Sequence, residues 1–200
     1  GEQSVSRWLQ HNRLPGVFLY EEFADIIGAR TTLYLMTALG LLLCLMLRRW
    51  SLAILVVTAP LLTLIGAMIK LLVERPRPIT EQVSAIREPT TGFSFPSGHS
   101  LQATIICVVI VIAAQSILSG RLRRLVQAVA VWSSLTIGWE RVFDGVHWPT
   151  DVVGGVVLGI LATTALWRGI LLAETRWRVR RVARETNEPQ SLSRGVQARR

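Results

Sequence analysis

Arg141-Val142-Phe143-Asp144-Gly145-Val146-His147-Trp148-Pro149-Thr150-Asp151 is the stretch whose reading decides the fold. It gathers an arginine, a histidine and an aspartate between two long apolar runs. A helix starting near Trp148 takes Pro149 into its first turn, where the missing N–H costs nothing. His147 and Asp151, four residues apart, then share a face. A carboxylate in that place can hold one imidazole nitrogen and leave the other free to attack. The same residues also read as an interfacial helix start with a capping acid. The surrounding chain has to separate the two.

Outward from this stretch, half of the 200 residues are hydrophobic and the mean hydropathy is positive. A net charge of +9 and a pI of about 11.3 fit either nucleic acid or an anionic membrane surface. The apolar runs decide for the membrane and against nucleic acid. Cys44 and Cys107 each lie inside such a run and read as separate reduced thiols packed as small hydrophobes.

The runs give five expected spans of roughly 20 residues or somewhat fewer. They are Thr31–Leu47 (extended by Ile26 and Ile27), Ser51–Val73 with Pro60 as a kink, Leu101–Leu118, Leu125–Trp139, and Val152–Leu172. Ser133, Ser134 and Thr136 are expected to face other helices, and Gly155 and Gly159 to form a small-xxx-small packing face. The expected fold is therefore all-α, a polytopic membrane helix bundle. Residues 1–30, broken at Pro15-Gly16, read as an extracytoplasmic amphipathic segment on the bilayer. Residues 31–173 form the transmembrane domain. Residues 174–200 form a basic cytoplasmic tail, held on anionic lipid heads and disordered at its end.

Charge orients the bundle. The segments 48–49, 121–124 and 168–200 hold most of the 22 basic residues and few of the 13 acidic ones, which assigns them to the cytoplasm. Residues 1–30, the 74–97 loop and the 140–151 stretch then share the outer face.

Three clusters meet there. Lys70 leads into Arg75-Pro76-Arg77-Pro78. A lysine at a boundary also fits simple snorkelling, but arginines locked between prolines are held out of a helix in fixed geometry. Phe95-Pro96-Ser97-Gly98-His99-Ser100 precedes the third span. Ser97 reads as an N-cap over exposed N–H groups that suit an anion, and Gly98 allows close backbone approach. His99 stands in that first turn. Arg141 adds a fork for phosphate oxygens beside His147 and Asp151. Using His99, His147 and Asp151 as a metal set is disfavoured by the surrounding cations, so no metal and no cofactor are expected. His11 receives no role.

Lys70-(six residues)-Arg77-Pro78, Pro96-Ser97-Gly98-His99 and Arg141-(five)-His147-(three)-Asp151 together resemble the tripartite signature of the type 2 phosphatidic acid phosphatase superfamily, which also holds vanadium haloperoxidases and bacterial acid phosphatases. The resemblance covers roughly 70–172. It implies a membrane lipid phosphatase in which Lys70, Arg77, Ser97, Gly98 and Arg141 bind phosphate. His147 would be the nucleophile, Asp151 its orienting partner and His99 the general acid. The implied partners are membrane lipids and a lipid phosphate or polyprenyl (di)phosphate substrate, cleaved at the outer face through a phosphohistidine. Phosphotransfer and non-catalytic lipid-phosphate binding are the alternatives. Two features depart from the family pattern. Glu140 stands where the family has serine, and either weakens anion binding or pairs with Arg141 or Lys70. The membrane-bound branch has six spans, so a first span is expected upstream.

Overall fold

The structure is a computed structural model that describes residues 1–12, 30–86 and 91–197, with side chains to residue 184. Its described elements are all helical. They are α1 (Glu2–His11), α2 (Arg30–Met46), α3 (Trp50–Thr58), a 3-10 turn (Ala59–Leu62), α4 (Thr63–Val73), α5 (Gly98–Ile117), α6 (Gly120–Phe143) and α7 (Pro149–Gln197).

Three stretches are long and apolar enough to cross a membrane: Trp50–Val73, Gly98–Ile117 and Pro149–Arg184. The first joins α3 and α4 through the 3-10 turn. Pro60 lacks the N–H that an unbroken helix would need, and the backbone tightens around it, with the Thr63 hydroxyl donating to Pro60 O at 2.7 Å. The kink expected at Pro60 takes this form.

Five spans are not confirmed. The apolar part of α2, Thr31–Met46, rises only about 24 Å against a hydrocarbon core of about 30 Å. Ile26 and Ile27, expected to lengthen it, lie outside the described residues. Helix α6 is 24 residues long but carries Arg121, Arg123 and Arg124 at one end and Glu140 and Arg141 at the other, so its apolar middle is short. By length and composition, the described residues contain three spans.

Helix α5 sits between α6 and α7 and packs against both. Leu55, Leu101, Ile105 and Ile137 are its best buried large neighbours and members. In a bilayer, lipid tails are as apolar as leucine, so helices associate by close packing and by polar contacts between them. Both occur here. A Cβ at Gly155 would lie 2.8 Å from Ser97 O, and one at Gly159 would lie 2.8 Å from Thr104 Cβ. The two glycines expected to form a packing face do so against α5. Thr104 Oγ1 and Ser134 Oγ are 3.1 Å apart in the buried seam between α5 and α6. Thr136 instead bonds back to Trp132 O and Ser133 O in its own helix.

The structure adds detail at both termini. Helix α1 docks on α6 and α7 with Ser6, Leu9 and Gln10 buried. Gln10 can reach backbone groups that a lipid surface lacks, donating to Ala85 O and Phe143 O at 2.8 Å each and accepting from Ser84 N at 2.7 Å. The Pro15-Gly16 break lies outside the described residues. At the other terminus α7 continues as one helix through residue 174 to Gln197. Glu174 supports the passage, accepting from Ser51 Oγ at 2.5 Å and pairing with Arg178 at 2.5 Å one turn on.

Gly159→Val is expected to force α7 off α5 and lower stability by about 1–3 kcal/mol. Gly169→Val, where an added Cβ meets nothing within 4 Å, should change it little. Thermal unfolding of detergent-solubilised protein reads both, and equal midpoints would show that the close approach at Gly159 does not matter.

Candidate active site

Helix α7 begins at Pro149, and its first turn carries Asp151, whose side chain is fully buried. One carboxylate oxygen, Oδ2, accepts from Trp148 N at 2.9 Å and lies 3.4 Å from His147 Nδ1. The backbone N–H contact fixes the carboxylate, and the carboxylate faces one ring nitrogen of His147. The Asp151 carbonyl accepts from Ser97 N at 3.0 Å and so ties the start of α7 to the start of α5.

His147 is 4% exposed and reaches its place through a tight turn. Gly145 has a φ of +69°, and Val146 N and His147 N both donate to Arg141 O, at 3.3 and 3.2 Å. A Cβ at Gly145 would fall 2.2 Å from Ala85 O, so only glycine fits this crossing. The signal was in the sequence as the Asp144-Gly145 turn pair.

The segment after α4 supplies the cations. Each residue before a proline is driven to extended backbone, and Arg75 and Arg77 both reach the His–Asp pair. Arg77 donates from Nε to Gly92 O at 3.1 Å and from Nη1 to Val146 O at 2.8 Å, and Nη1 lies 3.4 Å from His147 Nε2. Arg75 donates from Nη1 to Asp151 Oδ1 at 2.8 Å and to Thr150 Oγ1 at 2.6 Å. Lys70, in the last turn of α4, donates to Phe93 O at 2.9 Å and to Ser94 O at 3.3 Å. It is tethered to the site rather than snorkelling away from it.

Ser97 caps α5 as expected. Its hydroxyl oxygen accepts from Ser100 N at 3.4 Å and from Ser100 Oγ at 3.0 Å. Gly98 is exposed and faces open space where a Cβ would stand. His99, half-buried, follows it in the first turn.

Arg141, expected as a fork for phosphate oxygens, is paired with acids in this structure. It lies in the last turn of α6, 3% exposed, with Nη2 at 2.9 Å from Asp144 Oδ2 and 3.3 Å from Glu140 Oε2. Of the partners left open for Glu140, the structure selects Arg141. Arg77, Ser97, His147 and Asp151 are therefore linked directly or through one backbone group, while the bonds of Lys70 go to the carbonyls of Phe93 and Ser94. Arg141 joins them through its carbonyl, while its guanidinium is engaged by acids. Arg75, Asp144 and Glu2 were not singled out from the sequence as site residues. Arg75 was visible beside Arg77, but its partner lies 76 residues away.

Burial pushes the His147 imidazole down to about 4, with Arg77 and Lys70 adding to the shift and Asp151 opposing it. Burial also lowers Arg77 from its ordinary value against the pull of Asp151, and an arginine remains charged regardless. At neutral pH His147 is thus uncharged. With Nδ1–H toward Asp151, its lone pair is on Nε2, the nitrogen beside Arg77. The arrangement can offer a neutral nucleophile or base next to fixed positive charge.

Fold and site together define an integral-membrane helical protein with a cationic His–Asp centre at one end of its bundle. The chain belongs to the PAP2 superfamily, whose profile matches residues 40–173. Phosphatidylglycerophosphatase B of Bacillus subtilis is 36% identical over 102 residues, covering 49% of this chain and 47% of that protein. Decaprenylphosphoryl-5-phosphoribose phosphatase of Mycobacterium tuberculosis is 33% identical over 95 residues, covering 48% of each. The chain thus spans about half the length of these curated relatives. Among solved structures, a transmembrane PAP2-type phosphatidylglycerolphosphate phosphatase from Bacillus subtilis superposes with a TM-score of 0.68 at 24% identity, over 88% of this chain and 85% of that one. Aquifex aeolicus LpxE gives 0.65 at 23% identity, over 82% and 93%. These two likenesses establish the shared fold.

The sign of the His147 shift gives a test. Between its ordinary value of 6.5 and about 4, the unfolded chain takes up a proton that folded His147 refuses, so falling pH removes stability through this group. NMR of ring-labelled histidine should find His147 neutral, with the proton on Nδ1, down to about pH 5. Asp151→Asn should lower its titration further, since the carboxylate favours the charged ring. Titration at or above 6.5 in the ligand-free protein would contradict this electrostatic picture.

Proposed function

We propose that this protein is a metal-independent lipid phosphatase. It hydrolyses the terminal phosphate of a lipid phosphate or polyprenyl (di)phosphate at the extracytoplasmic face. The observation that carries the reading is the placement of His147, with Asp151 at one ring nitrogen and Arg77 at the other. Membership of the PAP2 superfamily and similarity to curated phosphatases of lipid-linked phosphates support it.

In this mechanism the phosphoryl group enters beside Arg77 and Lys70 and meets the open start of α5 at Gly98, where helix N–H groups favour an anion. Phosphoryl transfer depends chiefly on positioning and on neutralising charge over the phosphoryl oxygens. Ser97 directs its hydroxyl hydrogen to the anion, since its oxygen already accepts from Ser100. Arg141 takes part by exchanging Asp144 for a phosphate oxygen. His147 Nε2 attacks phosphorus in line as the bond to the lipid oxygen breaks, and His99 gives that oxygen its proton, a role typically worth about 10²–10⁴ in rate. The phosphohistidine is then hydrolysed by water, which returns its proton to His99, and inorganic phosphate leaves.

The surroundings favour a lipid. Below the site, an apolar cavity of about 340 Å³ runs between α2, α3 and α5, lined among others by Leu33, Gly40, Val56, Ile105 and Val109. Ile105 lies eight residues along α5 from Ser97, about 12 Å deeper. A head group at His147 therefore leaves its hydrocarbon chain within reach of an apolar slot. The excess of arginine at the opposite end of the bundle supports placing that end in the cytoplasm and the site outside.

Purified protein in EDTA should release phosphate from members of a lipid-phosphate panel, and His147→Ala should slow release by at least about 10³-fold. Equal rates for the two would end the proposal. For orientation, an impermeant thiol reagent added to intact cells should label Thr80→Cys and spare Arg121→Cys. The reverse pattern would place the site on the cytoplasmic face.

A further inference from the structure

The catalytic reading uses Lys70, Arg77 and the His147–Asp151 pair. It leaves unexplained why the first helix of the chain sends a carboxylate into this centre. Glu2, at the start of α1, is ion-paired with Arg75 Nη2, and its other oxygen accepts from Thr150 N at 3.3 Å and from the Thr150 hydroxyl. Thr150 is the second residue of α7, so Glu2 supplies an acceptor for an N–H at the start of that helix, where such donors have no partner in their own turn. Arg75 uses its other nitrogen, Nη1, on Asp151 Oδ1 at 2.8 Å and on Thr150 Oγ1 at 2.6 Å. Its guanidinium also stands 5.8 Å from the ring centre of Trp148, whose Nε1 donates to Pro76 O at 3.2 Å.

The two oxygens of Asp151 are thereby divided. Oδ2 serves His147 and Trp148 N, and Oδ1 serves Arg75. The carboxylate is fully buried, so its orientation is set by these contacts alone, without solvent. Glu2, Arg75, Asp151 and His147 form a continuous chain of contacts from α1 to the nucleophile. Helix α1 is fixed at its other end as well. Arg7 donates to Gln82 O at 3.0 Å and to Glu81 O at 2.5 Å, and Gln10 bridges Ala85 and Phe143.

We propose that Glu2 and Arg75 are positioning residues for catalysis: docked α1 presents Glu2 to Arg75, and Arg75 holds the Asp151 carboxylate in the orientation that aims His147. This rests on the reading of His147 and Asp151 as the nucleophile pair. Glu2 keeps Arg75 from offering its full charge to an incoming phosphate, because the guanidinium is bridged between two carboxylates. Arg75 thus acts on Asp151, whereas Lys70 and Arg77 act on the substrate. Bidentate bridging of two acids needs the planar fork of arginine, which a lysine cannot reproduce.

The test is steady-state kinetics on the full chain in detergent–lipid micelles, using a lipid phosphate that the wild type turns over. Arg75→Ala should lower kcat by about 10–100-fold, by analogy with the loss of an outer-shell partner that orients a metal-ligating side chain. KM should stay within about threefold of wild type. Free guanidinium should restore part of the Arg75→Ala rate, and Arg75→Lys should recover less than half of the loss. Glu2→Gln, at a partly exposed side chain, keeps the shape and removes the charge, and should lower kcat by several-fold. Its effect should largely vanish in an Arg75→Ala background, because both act through one chain of contacts.

A rise in KM at unchanged kcat for Arg75→Ala would make Arg75 a substrate-binding group and overturn the proposal. So would additive losses in the double variant, or wild-type kcat in Glu2→Gln. If Arg75→Ala does not fold, Glu2→Gln and Arg75→Lys decide the matter by the same kcat criterion. His147→Ala, run alongside, separates the two claims. An inactive His147→Ala with fully active Glu2→Gln and Arg75→Lys sinks the positioning role alone. An active His147→Ala sinks the catalytic reading beneath it.

Discussion

The buried carboxylate of Asp151 is the interaction on which the site depends. It receives the Trp148 N–H, faces His147 Nδ1 and takes the Arg75 guanidinium, while its own carbonyl receives Ser97 N. One residue therefore joins the starts of α5 and α7, the turn before α7 and the segment after α4. Burying an isolated carboxylate is costly, and here it is met by the Arg75 guanidinium and the Trp148 N–H. The close approach of α7 to α5 at Gly155 and Gly159 makes this junction geometrically possible. Packing in the bilayer and electrostatics at its edge are thus one construction.

The charges are arranged as opposed pairs rather than as an unrelieved basic cluster. Arg75 lies between Glu2 and Asp151, and Arg141 lies against Glu140 and Asp144. Lys70 and Arg77 bond to backbone carbonyls, which leaves their net charge available to an anion. Their presence and the burial of His147 keep the imidazole neutral. A neutral ring beside fixed cations is the state required of a histidine that attacks phosphorus at physiological pH.

The sequence made much of this legible for identifiable reasons. His147 and Asp151 lie four apart, Ser97 precedes a helix, and prolines flank the arginines, so local spacing was enough to single these residues out, while their roles came from the family resemblance. Pro60 and the Gly155–Gly159 pair were readable in the same way. What escaped depended on distant partners. Nothing local couples Glu2 to Arg75 and Thr150, or Gln10 to Ala85 and Phe143, so the docking of α1 was not legible. Arg141 was legible as a fork from its spacing to His147, and its pairing with Asp144 was not. The count of five spans stays unconfirmed where charge enters the ends of α6 and where the described part of α2 is short, since hydropathy measures composition rather than the packing that sets depth.

The central claim, two successive displacements at phosphorus with His147 as the first nucleophile, is most directly tested by stereochemistry. A lipid thiophosphate made chiral at phosphorus with oxygen isotopes would be hydrolysed in water of the third isotope, and the configuration of the released thiophosphate determined. Each in-line displacement inverts phosphorus, so passage through a covalent histidine intermediate should give overall retention. Overall inversion would mean that water attacks the substrate directly, and His147 would then be at most a base.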